Sequence, residues 1–208
     1  MKTIAPFILL IGFLFTSCKE DVVNKVYNGN NKSAILDNML SRRSIRKYTS
    51  QQVSKEKIDT IMRYSIYAPS AYNKQPWEIR VVQNKLWLDE VNKRYINTQV
   101  KSNKDSDFSI FHHAPTLIVI ARDKNSVTSA LDCGIILQNI MLSAHGIGLG
   151  TCPLVLMVPT LNFPENKDLL SALKIPDDYE AVVCISLGYP AENPPMKPRN
   201  SERIKIIE

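Results

Sequence analysis

The segment SVTSALDCGIILQNIMLSAH, residues 126–145, constrains the fold more than any other part of this chain. It has the length of a long helix, and between Ile135 and Leu142 it is apolar on most faces. Such a helix must lie in a core or at an interface, because no face of it suits water. Gly146 is placed to cap its C-terminal end, where glycine is common.

Three apolar segments have the β-branched composition of strands, namely EIRVVQ (78–83), APTLIVIA (114–121) and EAVVCISLGY (180–189). Other segments predict helices: residues 33–40, a helix capped by Ser54 that stops before Pro69, the stretch LWLDEVNKRYINTQ, and a short one near 165–173. Helices and strands are mixed without strict alternation. This favours an α+β sandwich over a doubly wound sheet.

The N-terminus, MKTIAPFILLIGFLFTSC, combines a basic Lys2, an apolar run and small residues directly before Cys18. This layout resembles a bacterial lipoprotein signal, in which the peptide is removed and the cysteine is acylated. We therefore expect a signal peptide over 1–17, a tether over 18–32 from lipidated Cys18, and a folded domain over 33–208. The protein would be membrane-anchored outside the cytoplasm, in the bacterial cell envelope. An uncleaved leader, or a secretory signal with an unrelated cysteine, is the alternative.

Charge and cysteine content narrow the function classes. The net charge is +6, but the basic residues are scattered except in SRRSIRK, and no basic-aromatic motif for nucleic acid accompanies them. The remaining cysteines are Cys133, Cys152 and Cys184, an odd number without metal-site spacing. Cys133 and Cys184 lie in apolar segments, which predicts buried thiols.

Two basic clusters suit an anionic small ligand. Arg42, Arg43 and Arg46 surround Ser44, and Lys197 and Arg199 follow near the C-terminus. Guanidinium groups form paired, charge-assisted hydrogen bonds with phosphate, so both clusters can close on one phosphate. A solvated helix end is the alternative interpretation of the first cluster.

The segment PSAYNKQPW, residues 69–77, places the amides of Asn73 and Gln75 between two prolines. Side-chain amides and fixed backbone donors suit the edge of a planar heteroaromatic ligand. The glycine-rich GIGLGTCP that follows the long helix is weaker evidence, because it lacks the G-x-G-x-x-G spacing. It is either backbone that approaches a ligand or a helix-to-strand turn.

Taken together, these segments resemble the nitroreductase family of flavin enzymes. The Arg-x-Ser-x-Arg element matches residues 42–46, and the Pro-Ser-(small)-x-Asn-x-Gln-Pro-Trp motif matches residues 69–77 in full order. The segments at 147–150 and 187–190 also fit, whereas Tyr72 stands where the family most often has a small residue. The resemblance implies a three-layer α/β/α sandwich around a mixed, mainly antiparallel sheet. It also implies an intertwined homodimer with FMN at the interface.

The resemblance further implies the roles of single residues. The phosphate would be held by Arg42, Arg43, Ser44, Arg46, Lys197 and Arg199. The flavin would also be contacted by Leu149, Gly150 and Gln75, and the flavin of the partner subunit by Pro69, Ser70, Ala71 and Asn73.

The implied activity is ping-pong hydride transfer from NAD(P)H or another donor to nitro compounds, quinones or related small acceptors. No side chain needs to act as a nucleophile, because the flavin carries the chemistry. Two alternatives stay open: an anchored flavin-binding carrier or scaffold without turnover, and a structural lipoprotein without flavin.

Overall fold

A computed structural model describes residues 34–99 and 107–208 of the 208-residue chain. The chain divides into two compact units, Met1–Asp37 and Asn38–Glu208. Of the first unit only residues 34–37, the start of a helix, are described. The expected signal peptide, Cys18 and the tether lie outside the described residues. No helix within the described ranges is long and apolar enough to cross a membrane.

The helices and strands follow the hydrophobic pattern closely. The helices are α1 (Ala34–Ser41), α2 (Lys55–Ser65), α3 (Lys85–Gln99), α4 (Ser129–Gly146), α5 (Val158–Asn162) and α6 (Lys167–Ala172). The strands are β1 (Trp77–Val82), β2 (Thr116–Asp123), β3 (Gly150–Leu154) and β4 (Tyr179–Gly188). Short 3₁₀ turns cover Ala71–Asn73, Pro164–Asn166 and Ser201–Arg203. The predicted N-cap is confirmed, since the Ser54 hydroxyl accepts the Lys57 N–H at 3.4 Å.

The four strands form one sheet in the order β1-β2-β4-β3, and every neighbouring pair is antiparallel. The only parallel pairing among the described residues is an isolated bridge between Ser44 and Thr151. All pairings between the four strands are therefore antiparallel. The parallel pairing that a mixed sheet implies is present only at that bridge within the described residues.

The sheet is buried on both faces, which produces three layers. Along β2, Leu117 and Val119 pack in a cluster with α3, α5 and α6, whereas Ile118 and Ile120 pack in a second cluster with α2 and α4. Successive strand residues point to opposite faces, so a strand covered on both sides is apolar throughout. The predicted α+β class and the α/β/α layering are confirmed.

Helix α4 lies in the core along one side, where Ile136 and Ile140 are fully buried. Its end differs from the expectation, because Gly146 is still helical and the left-handed residue is Gly148, at φ 80°. The Gly148 N–H bonds to the His145 carbonyl, and the Leu149 N–H bonds to the Ala144 carbonyl. This pair of bonds is a Schellman motif, which places the glycine two residues later than predicted.

Two further elements differ from the expectations. The helix expected near 165–173 is shorter, Lys167–Ala172, and helix α5 precedes it without having been predicted. The glycine-rich segment contains the turn and then strand β3. Both α5 and β3 have five residues, too few to show a clear hydrophobic period.

Candidate functional site

The basic segment after α1 is held like a short edge strand. Ser44 forms the parallel bridge to Thr151 of β3, and the Ile45 N–H bonds to the Thr151 carbonyl at 2.9 Å. A little further on, Tyr48 bridges to Pro190. The arginines before and within this segment therefore lie beside the chain that leaves β4.

Gly150 makes this close approach possible. A Cβ atom on Gly150 would lie 2.8 Å from Cγ1 of Ile45, closer than real Cβ contacts come. Ile45 occupies the space that a side chain at position 150 would need. Glycine at this position therefore allows the two segments to pack closely. Leu149 before it is buried in the core, and its N–H bonds to the Ala144 carbonyl, so the structure shows no ligand-facing group at this predicted flavin contact.

The two basic clusters predicted from the sequence line one cavity of about 120 Å³. Its walls consist of Arg42, Arg43, Ser44, Arg46, Pro194, Pro195, Lys197 and Arg199. Five of these residues are cations and none is an acid. We call this space the cationic cavity. Mutual repulsion among its walls favours an anion as occupant.

Arg42, one of the residues that line this cavity, has an unsatisfied donor. Its Nη1 is buried and has no hydrogen-bond partner within residues 34–99 and 107–208. Burial, and next the charge of Arg43, lowers the pKa of the Arg42 guanidinium. A buried donor without an acceptor is unfavourable, so the site fits an anionic oxygen such as that of a phosphate monoester.

The other arginines of the cluster have different surroundings. Arg43 Nη1 donates to the carbonyls of Leu40 and Arg42, at 2.6 and 2.8 Å, and so completes the C-terminal end of α1. The backbone N–H of Arg46 donates to the Glu192 carboxylate. Within the described residues, the Arg46 guanidinium forms no ion pair, and its charge remains available.

The cysteines take no visible part in this chemistry. Among the described residues Cys133, Cys152 and Cys184 are free and buried, which confirms the interpretation of Cys133 and Cys184. Burial raises the pKa of Cys152 even though Arg46 and Arg42 oppose the shift, and it raises the pKa of Cys133 to about 12. All such thiols are protonated at neutral pH.

The loop between α2 and β1 carries unusual backbone strain. Tyr72, Asn73 and Gln75 have left-handed φ values of 53°, 54° and 48°. The Ser70 hydroxyl accepts the Gln75 N–H at 3.0 Å, and the Gln75 amide donates to Asn73 at 3.3 Å. Ser70 and Gln75 therefore use side-chain groups to shape the loop itself. Left-handed non-glycine residues are typical of functional sites.

Asp132 anchors the loop to α4, which sequence reasoning missed. It is buried near the start of that helix, and its carboxylate accepts the Ala71 N–H at 3.2 Å and the Thr128 hydroxyl at 3.0 Å. The available signal was one acid within an otherwise apolar helix. A buried carboxylate needs such donors.

The loop does not reach the cationic cavity of its own chain. None of Pro69, Ser70, Ala71, Asn73 and Gln75 lines that cavity. Ala71 instead lines a separate cavity beside Val127 and Thr128. The structure thus brings the two basic clusters together at one cavity, whereas the motif of residues 69–77 lies elsewhere on the surface of the same chain.

Residues 39–189 match the profile of the Nitroreductase family, most of the described chain. A protein of Methanothermobacter thermautotrophicus, provisionally named NADH dehydrogenase/NAD(P)H nitroreductase, is 31% identical over 188 residues. That match covers 87% of this chain and 90% of the relative. The chain therefore belongs to the nitroreductase family.

Solved structures agree with this assignment. A nitroreductase with bound FMN from Bacteroides fragilis superposes with a TM-score of 0.77 at 26% identity, covering 85% of this chain and 100% of that one. An FMN-dependent nitroreductase from Clostridium difficile gives a TM-score of 0.74 at 28% identity, covering 84% and 99%. The fold is that of the nitroreductases.

Proposed function

We propose that this protein is an FMN-dependent oxidoreductase that reduces nitro compounds, quinones or related small acceptors. NAD(P)H or another donor supplies the electrons by ping-pong hydride transfer. The observation that carries the proposal is a cavity lined by five cations and no acid, one of which, Arg42, has a buried Nη1 without a partner among the described residues. Membership of the nitroreductase family and similarity to FMN-bound structures support the same cofactor.

The phosphate of FMN binds in the cationic cavity. Arg42, Lys197 and Arg199 supply charge-assisted hydrogen bonds, each worth about 1.5–3 kcal/mol when formed to a charged group. Ser44 contributes at the same wall. Arg43 adds positive charge, while its own Nη1 remains bonded to the end of α1.

FMN, when bound, would supply the hydride-transfer chemistry, and the residues of this chain would have to orient it and favour negative charge on its ring. We assign the second task to Arg46, which lines the cationic cavity and forms no ion pair among the described residues. A fixed cation beside the ring stabilises negative charge that develops on it. The Glu192 contact to its backbone N–H fixes the position of this segment.

The active form is an intertwined homodimer. The strained loop and the segment directly before α4 expose large apolar side chains, with Tyr72 95% and Val127 99% accessible. Exposed apolar groups at neighbouring positions are typical of interaction surfaces. In the dimer, Pro69, Ser70, Ala71 and Asn73 contact the flavin of the partner subunit, which accounts for their separation from the arginines.

The N-terminal sequence supports an anchored location. Cleavage after residue 17 and acylation of Cys18 would tether the domain to the bacterial cell envelope, outside the cytoplasm. In cells that express the full chain, Cys18→Ala is expected to move the protein from the membrane fraction to the supernatant. Unchanged membrane association of the variant would contradict the lipid anchor.

The phosphate interaction is tested with two ligands. Titrating the flavin-free protein with FMN and with riboflavin isolates the phosphate, because riboflavin lacks it. FMN is expected to bind at least roughly 100-fold more tightly, a difference of about 2.7 kcal/mol or more. Equal affinities would contradict the assignment of the cavity.

Turnover separates the enzyme from a flavin carrier. The FMN-loaded protein is given NADPH and a quinone, and donor oxidation is followed over many equivalents of protein. Sustained oxidation supports the oxidoreductase. Oxidation of no more than one equivalent supports the carrier.

A further inference from the structure

The chain that leaves β4 runs antiparallel to the segment that carries the first basic cluster. The Thr49 N–H bonds to the Tyr189 carbonyl at 3.0 Å, and the Ala191 N–H bonds to the Lys47 carbonyl at 2.9 Å. This short pairing leads into residues 190–199, which we call the strap. The strap continues from there to the cationic cavity.

The strap supplies two of the five cations of the cationic cavity. Its lining residues are Pro194, Pro195, Lys197 and Arg199. Proline fixes its own φ and has no N–H to join a sheet, so this part of the strap is stiff and forms no ladder of its own. The positions of Lys197 and Arg199 therefore depend on where the strap is attached.

The antiparallel pairing ends on a side chain instead of a backbone group. Tyr48 and Pro190 form the bridge, so in a regular ladder the next N–H, that of Arg46, would bond to the Glu192 carbonyl. Here the Glu192 carboxylate accepts this N–H. Glu192 therefore attaches the strap one residue beyond the Ala191 bond.

Beyond Glu192, no hydrogen bond joins the strap to another element of the described chain. The hydrogen bonds that residues 193–208 form there are local, such as the bond from Arg199 Nη1 to the Lys197 carbonyl at 3.3 Å. The placement of the strap cations therefore depends on one carboxylate contact and on the anion that they bind.

The charge of Glu192 opposes anion binding at this site. Arg46 lines the cationic cavity, so the carboxylate bound to its N–H lies beside that cavity. A negative charge at such a place weakens the attraction of the cavity for an anion. A positional role therefore accounts for Glu192 better than an electrostatic one.

We propose that Glu192 is a positioning residue, which holds the strap through the Arg46 N–H so that Lys197 and Arg199 close on an anionic oxygen in the cationic cavity. The Glu192 contact fixes the near end of the strap, and the bound anion fixes its far end. The inference rests on the proposed function for the identity of the anion, which is the phosphate of FMN.

Two substitutions separate the position of Glu192 from its charge. Glu192→Ala removes both the acceptor and the charge, whereas Glu192→Gln removes the charge and keeps an oxygen that accepts the Arg46 N–H. By fluorescence titration, Glu192→Ala is expected to bind FMN about fivefold to tenfold more weakly, mainly through faster dissociation. Glu192→Gln should bind FMN within about twofold of the unchanged protein, or more tightly. Riboflavin affinity should not change, because riboflavin has no phosphate.

A double-mutant cycle tests whether Glu192 acts through the strap cations. In a protein that already carries Lys197→Ala and Arg199→Ala, Glu192→Ala should cause no further loss of FMN affinity, since the groups that it positions are gone. Glu202→Ala is the matched control. It removes an equal charge from the exposed 3₁₀ turn that follows the strap, and it should leave FMN affinity unchanged.

Limited trypsin digestion of the flavin-free protein tests the strap without the cofactor. Trypsin cuts after Arg199, whereas Pro198 protects the bond after Lys197. Cleavage depends on how often this part of the chain leaves the protein surface. Glu192→Ala should therefore be cut after Arg199 faster than Glu192→Gln and the unchanged protein, with the product identified by its mass.

The inference is overturned if Glu192→Ala binds FMN as tightly as the unchanged protein or more tightly, which is the result expected from charge alone. Equal cleavage rates after Arg199 in all three proteins would also overturn it. If the unchanged protein binds FMN, these results remove only this inference. If it binds no FMN, the proposed function fails, while the cleavage rates still decide whether Glu192 holds the strap.

Discussion

Among single residues, Arg42 connects the fold most directly to the cofactor. Its Nη1 is buried without a hydrogen-bond partner in the described part of the chain. Leaving such a group unsatisfied costs about 1–3 kcal/mol, and more when it is charged. The unsatisfied Nη1 therefore raises the free energy of the flavin-free protein, and an anionic oxygen bound there would remove this cost.

Arg42→Ala is expected to weaken FMN binding roughly 30- to 100-fold while leaving riboflavin binding unchanged, because only FMN carries the phosphate. The stability of the flavin-free protein should not fall, since the lost donor had no acceptor. Fluorescence titration and urea unfolding check the two statements. Arg63→Ala, an exposed arginine on α2, is the control. Equal loss of both flavins would contradict the phosphate assignment.

Gly150 is a second position where one residue decides the site. A methyl group at Gly150 would lie 2.9 Å from Cβ of Ile45, so Gly150→Ala should destabilise the protein by about 1–3 kcal/mol. It should also loosen the Ser44–Thr151 bridge and reduce FMN affinity.

Urea unfolding of Gly150→Ala, Ile45→Ala and the double variant tests this contact. Because Ile45→Ala opens the space that the new methyl group needs, the double variant should lose less stability than the sum of the single variants. Strict additivity would show that the two side chains do not compete for space.

At the scale of elements, Asn162 compensates for an irregular edge of β4. Pairing between β2 and β4 shifts at Ile120 and Ala121, and β3 has ended before this point. Asn162 of α5 then donates to the Ala181 carbonyl at 2.8 Å and accepts the Ala181 N–H at 2.9 Å. One side-chain amide thus replaces a neighbouring strand.

Asn162→Ala is expected to destabilise the protein by about 2–4 kcal/mol, since two buried backbone groups lose their partners. Urea unfolding measures the change. Ser171→Ala is the control, because that exposed hydroxyl donates only to the nearby Lys167 carbonyl, and it should change stability by less than about 0.5 kcal/mol. A loss in Asn162→Ala as small as that of the control would refute this role.

The elements also show what the sequence could and could not predict. Strands β1, β2 and β4 were predicted because their β-branched residues form apolar segments. Strand β3 was missed, since Gly150 and Pro153 are poor strand formers and its partners in β4 lie thirty or more positions further along the chain.

The same distinction holds for the site. Each basic cluster is visible in the sequence as a local group of charges, and the structure brings both to one cavity, while their role as a phosphate site stays a prediction. The Ala71–Asp132 contact and the Glu192 contact to Arg46 join residues 61 and 146 positions apart. No local pattern predicts contacts at such separations.

At the scale of the whole molecule, the proposed flavin site needs two copies of the chain, because each flavin is contacted by both. Leu131 lies near the start of α4 with 69% of its surface accessible, beside the strained loop. If this surface forms the dimer, a charge there should separate the protomers and release FMN.

Leu131→Asp is therefore expected to shift the mass in solution from two chains toward one, and to lower flavin content. Light scattering after size-exclusion chromatography measures this. Leu86→Asp on α3, which packs on the opposite face of the sheet, is the control and should stay dimeric. A single-chain mass for the unchanged protein at micromolar concentration would contradict the dimer.

The central claim is that this chain binds FMN and passes electrons through it. The most direct test is the visible absorption spectrum of the purified protein, recorded before and after adding NADPH under argon. The purified protein should be yellow, and its flavin absorbance should bleach on reduction. A colourless protein that does not take up added FMN would contradict the claim.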